Sequence, residues 1–414
     1  MTDKEDRRVV NTEGLPGALT KVKTDPLSHF PNGCTPWPHQ EAALVESKEF
    51  YANPDEYLFV NYISTAGGKS MLAVANSNSW ISGGGKSVLL CPTKTLQYQY
   101  QKDFKKGDIS IVTGASDFKC KRTSMNCGSN LARSTCSDRR TNYDSILNEN
   151  ISKEELKNTC PYKKKMAYAS KEAQNKPMCF TPHSFLAFKE NKFLGKSLPN
   201  GNGLMIVDEA HLLPDIFSGI LSVNIRVDVI NSLFEHSMTD DDSFHSQFFY
   251  PKRNVQRNCE GKDLISLGTH QMDYLQGLTE VIEIKLKEIR QLVVDQEHEV
   301  LDDLIPEISY LKDPHKYQKY CDYLSSLHKS LSQVVSLADE TQWACELTTS
   351  TQGSNDNIIP SNGSGKKEIR LLIRPGVIPR TFLKNFFHGF SKVILMSGTM
   401  FKTHFELLGL ISQQ

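Results

Sequence analysis

Short apolar runs bounded by turn residues recur through the first half of the chain and once near its end. They are Leu58-Phe59-Val60, Val88-Leu89-Leu90-Cys91, Ile109 to Val112, Met178-Cys179-Phe180, Leu204-Met205-Ile206-Val207 and Val393-Ile394-Leu395-Met396. They lack the apolar/polar alternation of a strand with one wet face. Runs of this kind predict strands buried on both faces, as in a parallel α/β sheet. Between about 216 and 345 the period changes. Leu275, Leu278, Ile282, Leu286, Ile289 and Val293 follow 3/4 spacing, as do Tyr320, Leu324, Leu327, Leu331 and Val334. Each stripe predicts a helix with one buried face, most simply packed against the other as an antiparallel pair. Residues 1 to about 33 are polar and broken by Gly14, Pro16, Pro26 and Pro31, which reads as a loose arm, and 350–366 reads as a flexible loop.

Composition sharpens this picture in two places. The 414 residues carry 48 Lys+Arg against 48 Asp+Glu, a zero balance that argues superficially against a nucleic-acid partner. The balance is a cancellation: residues 101–180 hold 16 basic against 9 acidic residues, leaving 32 against 39 elsewhere. Five of the ten cysteines fall in the same basic stretch: Cys179 in an apolar run, and the cluster candidates Cys120, Cys127, Cys136 and Cys160. No apolar run approaches the ~18 residues needed to span a bilayer. The opening Met-Thr-Asp-Lys-Glu-Asp-Arg-Arg is not a secretory signal. The expected protein is soluble, intracellular and not secreted.

Candidate chemistry begins at Ser64-Thr65-Ala66-Gly67-Gly68-Lys69-Ser70, which follows an apolar run and precedes the helix-forming Met71-Leu72-Ala73-Val74-Ala75. A strand, a small-residue loop and a helix N-terminus make an anion cradle whose backbone N–H groups face phosphate. Lys69 would reach the β/γ-phosphates of ATP, and the Ser70 hydroxyl would ligate Mg²⁺. The match to G-x-x-x-x-G-K-S/T is incomplete, because Ile63 stands in place of the first glycine. A second element supports the first: Met205-Ile206-Val207 leads into Asp208-Glu209-Ala210-His211. Asp208 at a strand's end can hold Mg²⁺ through water, and Glu209 can polarise the attacking water.

In this order the segments resemble the superfamily 2 helicases of the XPD/DinG type, which carry an iron–sulfur cluster. Thr35-Pro36-Trp37-Pro38-His39-Gln40 resembles their adenine-reading segment, with Gln40 as the base-contacting residue. Residues 64–70 match motif I in length, although Ala66 stands where such loops usually have glycine. Cys91-Pro92-Thr93-Lys94-Thr95 resembles motif Ia, which touches the DNA backbone and would assign that role to Thr93 and Thr95. Asp208 to His211 is motif II. Ser397-Gly398-Thr399 resembles motif III, which couples the ATP site to DNA.

The resemblance implies an α/β fold: a RecA-like P-loop parallel sheet with a cysteine-bearing metal-cluster insertion and a helical, arch-like insertion. The implied division is an arm over 1–33, lobe 1 beginning over 34–115, the cluster insertion over 116–170, lobe 1 again over 171–215, the arch over 216–345, and a return to lobe 1 over 346–414.

The cysteine spacing C-x6-C-x8-C-x23-C is not that of common paired zinc sites. Four thiolates can hold either a cubane cluster or zinc. Cys160-Pro161-Tyr162 followed by Lys163, Lys164 and Lys165 resembles the family's last ligand segment, which implies a 4Fe–4S cluster on Cys120, Cys127, Cys136 and Cys160. The surrounding Lys121, Arg122 and Lys163 to Lys165, with Tyr162 and Tyr168 interleaved, fit a groove for single-stranded or forked DNA. No segment resembles motifs IV to VI of a second lobe, so that lobe is expected on a separate chain or further downstream. The implied activity is an ATP-dependent helicase of 5′-to-3′ polarity. The competing reading is a nucleic-acid-binding protein with little ATP turnover; a small-molecule P-loop kinase fits the Asp-Glu-Ala-His segment poorly.

Overall fold

The computed structural model describes residues 25–31, 33–64, 66–104, 109–114, 117–119, 161–173, 175–189, 199–226, 255–257, 263–295, 300–301, 316–350 and 368–410. In chain order these form α1 (Pro38–Ala52), β1 (Leu58–Tyr62), α2 (Lys69–Ser82), β2 (Lys86–Leu90), α3 (Lys94–Asp103), β3 (Ser110–Ile111), α4 (Pro161–Glu172), β4 (Met178–Phe180), α5 (Pro182–Lys189) and β5 (Gly203–Asp208). Then come α6 (Leu213–Leu221), β6 (Val223–Arg226), β7 (Val255–Arg257), β8 (Asp263–Ser266), α7 (Thr269–Asp295), α8 (Lys316–Ser336), β9 (Trp343–Ser350) and β10 (Glu368–Pro375). The chain continues with α9 (Arg380–Phe387), β11 (Lys392–Ser397) and α10 (Lys402–Leu407).

Two compact units result, Met1–Ile216 with Arg380–Gln414, and Phe217–Pro379. The first is built on a six-stranded sheet in the order β1-β11-β5-β2-β4-β3. Every pairing in it is parallel. Its strands are the six apolar runs of the sequence. Both β5 and β11 are buried along their whole length, as strands covered on both faces must be. The core packs Phe50, Tyr51 and Trp80 from the helices against Leu89, Ile206 and Ile394 from the sheet. This is the arrangement of a RecA-like α/β lobe.

The second unit holds the predicted helix pair, α7 packed on α8. Leu275, Leu278, Ile282, Leu286 and Ile289 of α7 are buried, as are Tyr320, Leu324, Leu327, Leu331 and Val334 of α8. It also holds a five-stranded sheet, β6-β10-β9-β8-β7, paired antiparallel throughout. Because β9 and β10 pair there, the chain re-enters the first unit at Arg380, later than the 346 expected from sequence. The Gly- and Ser-rich stretch 351–366 lies outside the described residues.

Candidate functional site

The carboxyl ends of β1, β11 and β5 carry the candidate residues. After β1 the chain makes a tight turn in which the Gly67 N–H donates to the Ser64 carbonyl at 2.9 Å. Gly68 then caps α2 in the left-handed region at φ 74°. Both glycines are needed here. A Cβ on Gly67 would lie 2.5 Å from Ile63 Cγ2, and one on Gly68 would lie 2.2 Å from Gln40 Nε2. The loop thus packs its backbone closely against Ile63 and Gln40 and leads into the first N–H groups of α2. Ile63, the residue replacing the usual first glycine, is buried in an apolar cluster with Ala43, Leu44, Leu72 and Ala75 and backs the loop at Gly67. Ala66 has no positive φ and so needs no glycine there.

Gln40, buried at the start of α1, spans this turn. Its Oε1 accepts from the Trp37 N–H at 2.9 Å, and its Nε2 donates to the Gly67 carbonyl at 3.1 Å. His39 Nε2 lies 3.1 Å from the same carbonyl. The side-chain amide expected to read adenine is therefore engaged with the phosphate loop in this structure.

Lys69, only 6% exposed at the first position of α2, places its Nζ 2.7 Å from Glu209 Oε1. Glu209 sits at φ 49°, ψ 48°, the one non-glycine residue with positive φ among the described residues. A bulky side chain in that region costs of order 1 kcal/mol or more, and such strain is characteristic of sites where a side chain must be aimed. Asp208 ends β5 with its carboxylate held twice. The Glu209 N–H donates to its Oδ1 at 3.0 Å, and the Tyr100 hydroxyl donates to its Oδ2 at 2.9 Å. Burial pushes the Asp208 carboxyl above its usual range, and the Tyr100 hydrogen bond works against that rise.

Ser397 joins the three segments. Its carbonyl accepts from the Ile63 N–H at 3.2 Å, at the start of the phosphate loop. Its hydroxyl accepts from the Thr399 N–H at 3.1 Å and lies 2.9 Å from His211 Nδ1. His211 Nδ1 is also 3.5 Å from Glu209 Oε2. Gly398 and Thr399 are exposed just beyond.

Gln40, Ser64, Gly67, Gly68, Lys69, Ser70, Asp208, Glu209 and Ser397 are therefore gathered at one edge of one sheet. Thr65 lies outside the described residues. Thr93 caps α3, its hydroxyl accepting from the Leu96 N–H at 3.3 Å, and Thr95 is exposed one residue into the helix. Cys120, Cys127, Cys136 and Cys160 lie outside the described residues, as do Lys121, Arg122 and the side chain of Lys163. Lys164 and Lys165 are half-buried on α4. The rings of Phe118 and Tyr162 touch, with centroids 5.5 Å apart, two residues before Cys120 and two after Cys160. Among the described residues, no group of three or more His, Cys, Asp or Glu is placed to hold a metal ion.

Tyr100 and His39 were not singled out in the sequence. Tyr100 had a readable signal: with Gln97 it puts two polar side chains on the inward face of α3, and buried polar groups require partners.

A parallel sheet with a glycine cradle at the end of β1 and paired carboxylates at the end of β5 defines the P-loop class of α/β lobes. The chain belongs to the family described as the type III restriction enzyme, res subunit, whose model matches residues 33–239. No curated protein matches the chain. Among solved structures it is similar to an XPD helicase at 14% identity, covering 91% of this chain and 61% of that one with a TM-score of 0.43. An apo XPD matches at 13% identity over 84% of this chain and 52% of that one, TM-score 0.37. A truncated XPD matches at 13% over 86% and 93%, TM-score 0.38. The chain thus spans less than two thirds of the length of the first two. Among the described residues no helix is long and apolar enough to cross a membrane.

Proposed function

We propose that this chain is the nucleotide-binding lobe of an ATP-driven DNA motor, a helicase of the XPD/DinG type that moves 5′ to 3′ on single-stranded or forked DNA. The observation that carries the reading is the convergence of Lys69, Asp208 and Glu209, from segments far apart in sequence, beside a glycine turn packed closely on Ile63 and Gln40. In this reading Ser64, Thr65, Ala66, Gly67 and Gly68 line the phosphates with backbone N–H groups, and Lys69 holds the β/γ-phosphates. Ser70 and Asp208 would hold Mg²⁺. The ion, when bound, neutralises charge developing on the transferred phosphoryl group. Glu209 orients the attacking water; to do so it must release Lys69, which a triphosphate would draw away.

As a departure from the usual loop, Ile63 would fit a binder with little turnover. Its side chain lies in the core, so the loop gives no reason to prefer that reading. A family named for a restriction-enzyme subunit is in keeping with a DNA substrate. Thr93, Thr95, Lys121, Arg122 and Lys163 to Lys165 would contact the strand, and Cys120, Cys127, Cys136 and Cys160 would hold a 4Fe–4S cluster. A second lobe, on a separate chain or a further segment, completes the motor.

The test is nucleotide and DNA binding by the purified chain. A fluorescent ATP analogue should bind in a Mg²⁺-dependent manner, and ATP hydrolysis should rise with single-stranded DNA. Absence of nucleotide binding would refute the reading; binding of both ligands without DNA-stimulated turnover, even with a second-lobe chain added, would leave the non-motor binder.

A further inference from the structure

We infer that Tyr100 is a positioning residue for the phosphate site, setting the orientation of the Asp208 carboxylate from the helix that follows Thr93. The inference rests on the proposed nucleotide site and extends it to a residue that no phosphate-site motif contains.

Tyr100 is 2% exposed, in the core cluster with Cys91, Cys179 and Ile206, and its ring packs on Phe104 with centroids 6.0 Å apart. Packing alone would be met by a phenylalanine. The hydroxyl is the difference, and it donates to Asp208 Oδ2 at 2.9 Å.

With the Glu209 N–H on Oδ1 and Tyr100 on Oδ2, the carboxylate plane is fixed at both oxygens. Each oxygen keeps a lone-pair direction for a metal-bound water. Removing one anchor frees the carboxylate to turn about its last torsion, which is broad for an sp² terminus. The anchor also has a direction. Tyr100 lies on α3, whose cap is Thr93 and whose first turn holds the exposed Thr95. In the proposed reading those residues touch the DNA strand. A displacement of α3 by the strand therefore reaches the magnesium carboxylate through one hydrogen bond, with no intervening loop.

The experiment titrates Mg²⁺ against binding of a fluorescent ATP analogue, using the full chain. Tyr100→Phe should raise the half-saturating Mg²⁺ concentration about tenfold, the loss of one hydrogen bond to a charged acceptor. Binding of the analogue without Mg²⁺, which depends on Lys69, should stay as in wild type. A double-mutant cycle separates orientation from general damage. In an Asp208→Asn background, Tyr100→Phe should have no further effect on the Mg²⁺ titration. A wild-type Mg²⁺ titration for Tyr100→Phe overturns the inference, as does an equal loss in the Asp208→Asn background. If wild type itself shows no Mg²⁺-dependent binding, the proposed nucleotide site falls and takes this inference with it. The first two outcomes leave that site standing.

Discussion

The Lys69 ammonium and the Glu209 carboxylate form a partly buried ion pair at 2.7 Å, joining the phosphate loop to the end of β5. Two groups with separate duties toward a triphosphate here satisfy each other. Neither charge could stand alone at this depth without cost, because an unpaired charge in a poorly solvated site is expensive.

The two members of that pair should fail differently. Lys69→Ala should weaken binding of an ATP analogue at least about a hundredfold while single-stranded DNA affinity stays within about twofold, since electrostatic contacts to the transferring phosphates are lost. Glu209→Gln should keep nucleotide affinity and lower hydrolysis by roughly 10²- to 10⁴-fold, the usual worth of a positioned base. Equilibrium binding and steady-state turnover on the same preparations decide it. Unchanged ATP affinity in Lys69→Ala would show that the phosphate site has been wrongly assigned.

The backbone at Glu209 makes a second prediction independent of nucleotide. Glu209→Ala and Glu209→Gly both delete the carboxylate, but only glycine is at ease at φ 49°. The glycine variant should be the more stable by about 1 kcal/mol, which is roughly 2–4 °C in melting temperature for a unit of this size. Equal melting temperatures would mean that the left-handed turn carries no strain.

In the second unit, Leu324→Ala should cost about 2–5 kcal/mol, because it empties a fully buried position on α8 where that helix meets α7. Ile284→Lys, on α7 but 64% exposed, should change stability by less than about 0.5 kcal/mol. Urea unfolding of the two variants compares them directly. Similar losses would show that the burial pattern of α7 and α8 has been misassigned.

Anaerobic purification should yield a brown protein with about four iron atoms per chain, and Cys160→Ser should be pale and iron-poor. Metal analysis and visible absorption are the measurements. One zinc per chain and no colour would replace the cluster with a zinc site.

Much of the first unit could be read from sequence because its strands are buried on both faces. Val88 to Leu90, Leu204 to Val207 and Val393 to Met396 carry no polar residue to confuse the period, and all three became central strands. The phosphate loop and the Asp208–His211 segment were legible for a related reason: each is a fixed local string at the end of such a strand. The second sheet was not. Strands β9 and β10 interleave Glu346, Arg370 and Arg374 with apolar residues, and Arg374 pairs with Glu346 at 2.8 Å across the sheet. Such strands read as amphiphilic loop, and only the antiparallel register reveals why charges sit there. Tyr100 was missed because its partner, Asp208, is distant in sequence. Gln40 shows the opposite limit: its position was found by motif, but its hydrogen bonds to Trp37 and Gly67 could come only from three dimensions.

The place of β11 bears on how this protein comes to exist at all. The strand lies between β1 and β5, pairing Leu58 with Val393 and Ile206 with Ile394, although the whole second unit separates it from them in sequence. During synthesis β1 and β5 must wait, each with an open hydrogen-bonding edge, while the whole second unit is translated. Open edges of apolar strands invite pairing with other chains. The parallel sheet has high contact order and forms late, so the second unit is the part free to fold on the ribosome. A nascent or truncated chain that stops short of Lys392 would hold both halves of the phosphate site and lack the strand that joins them.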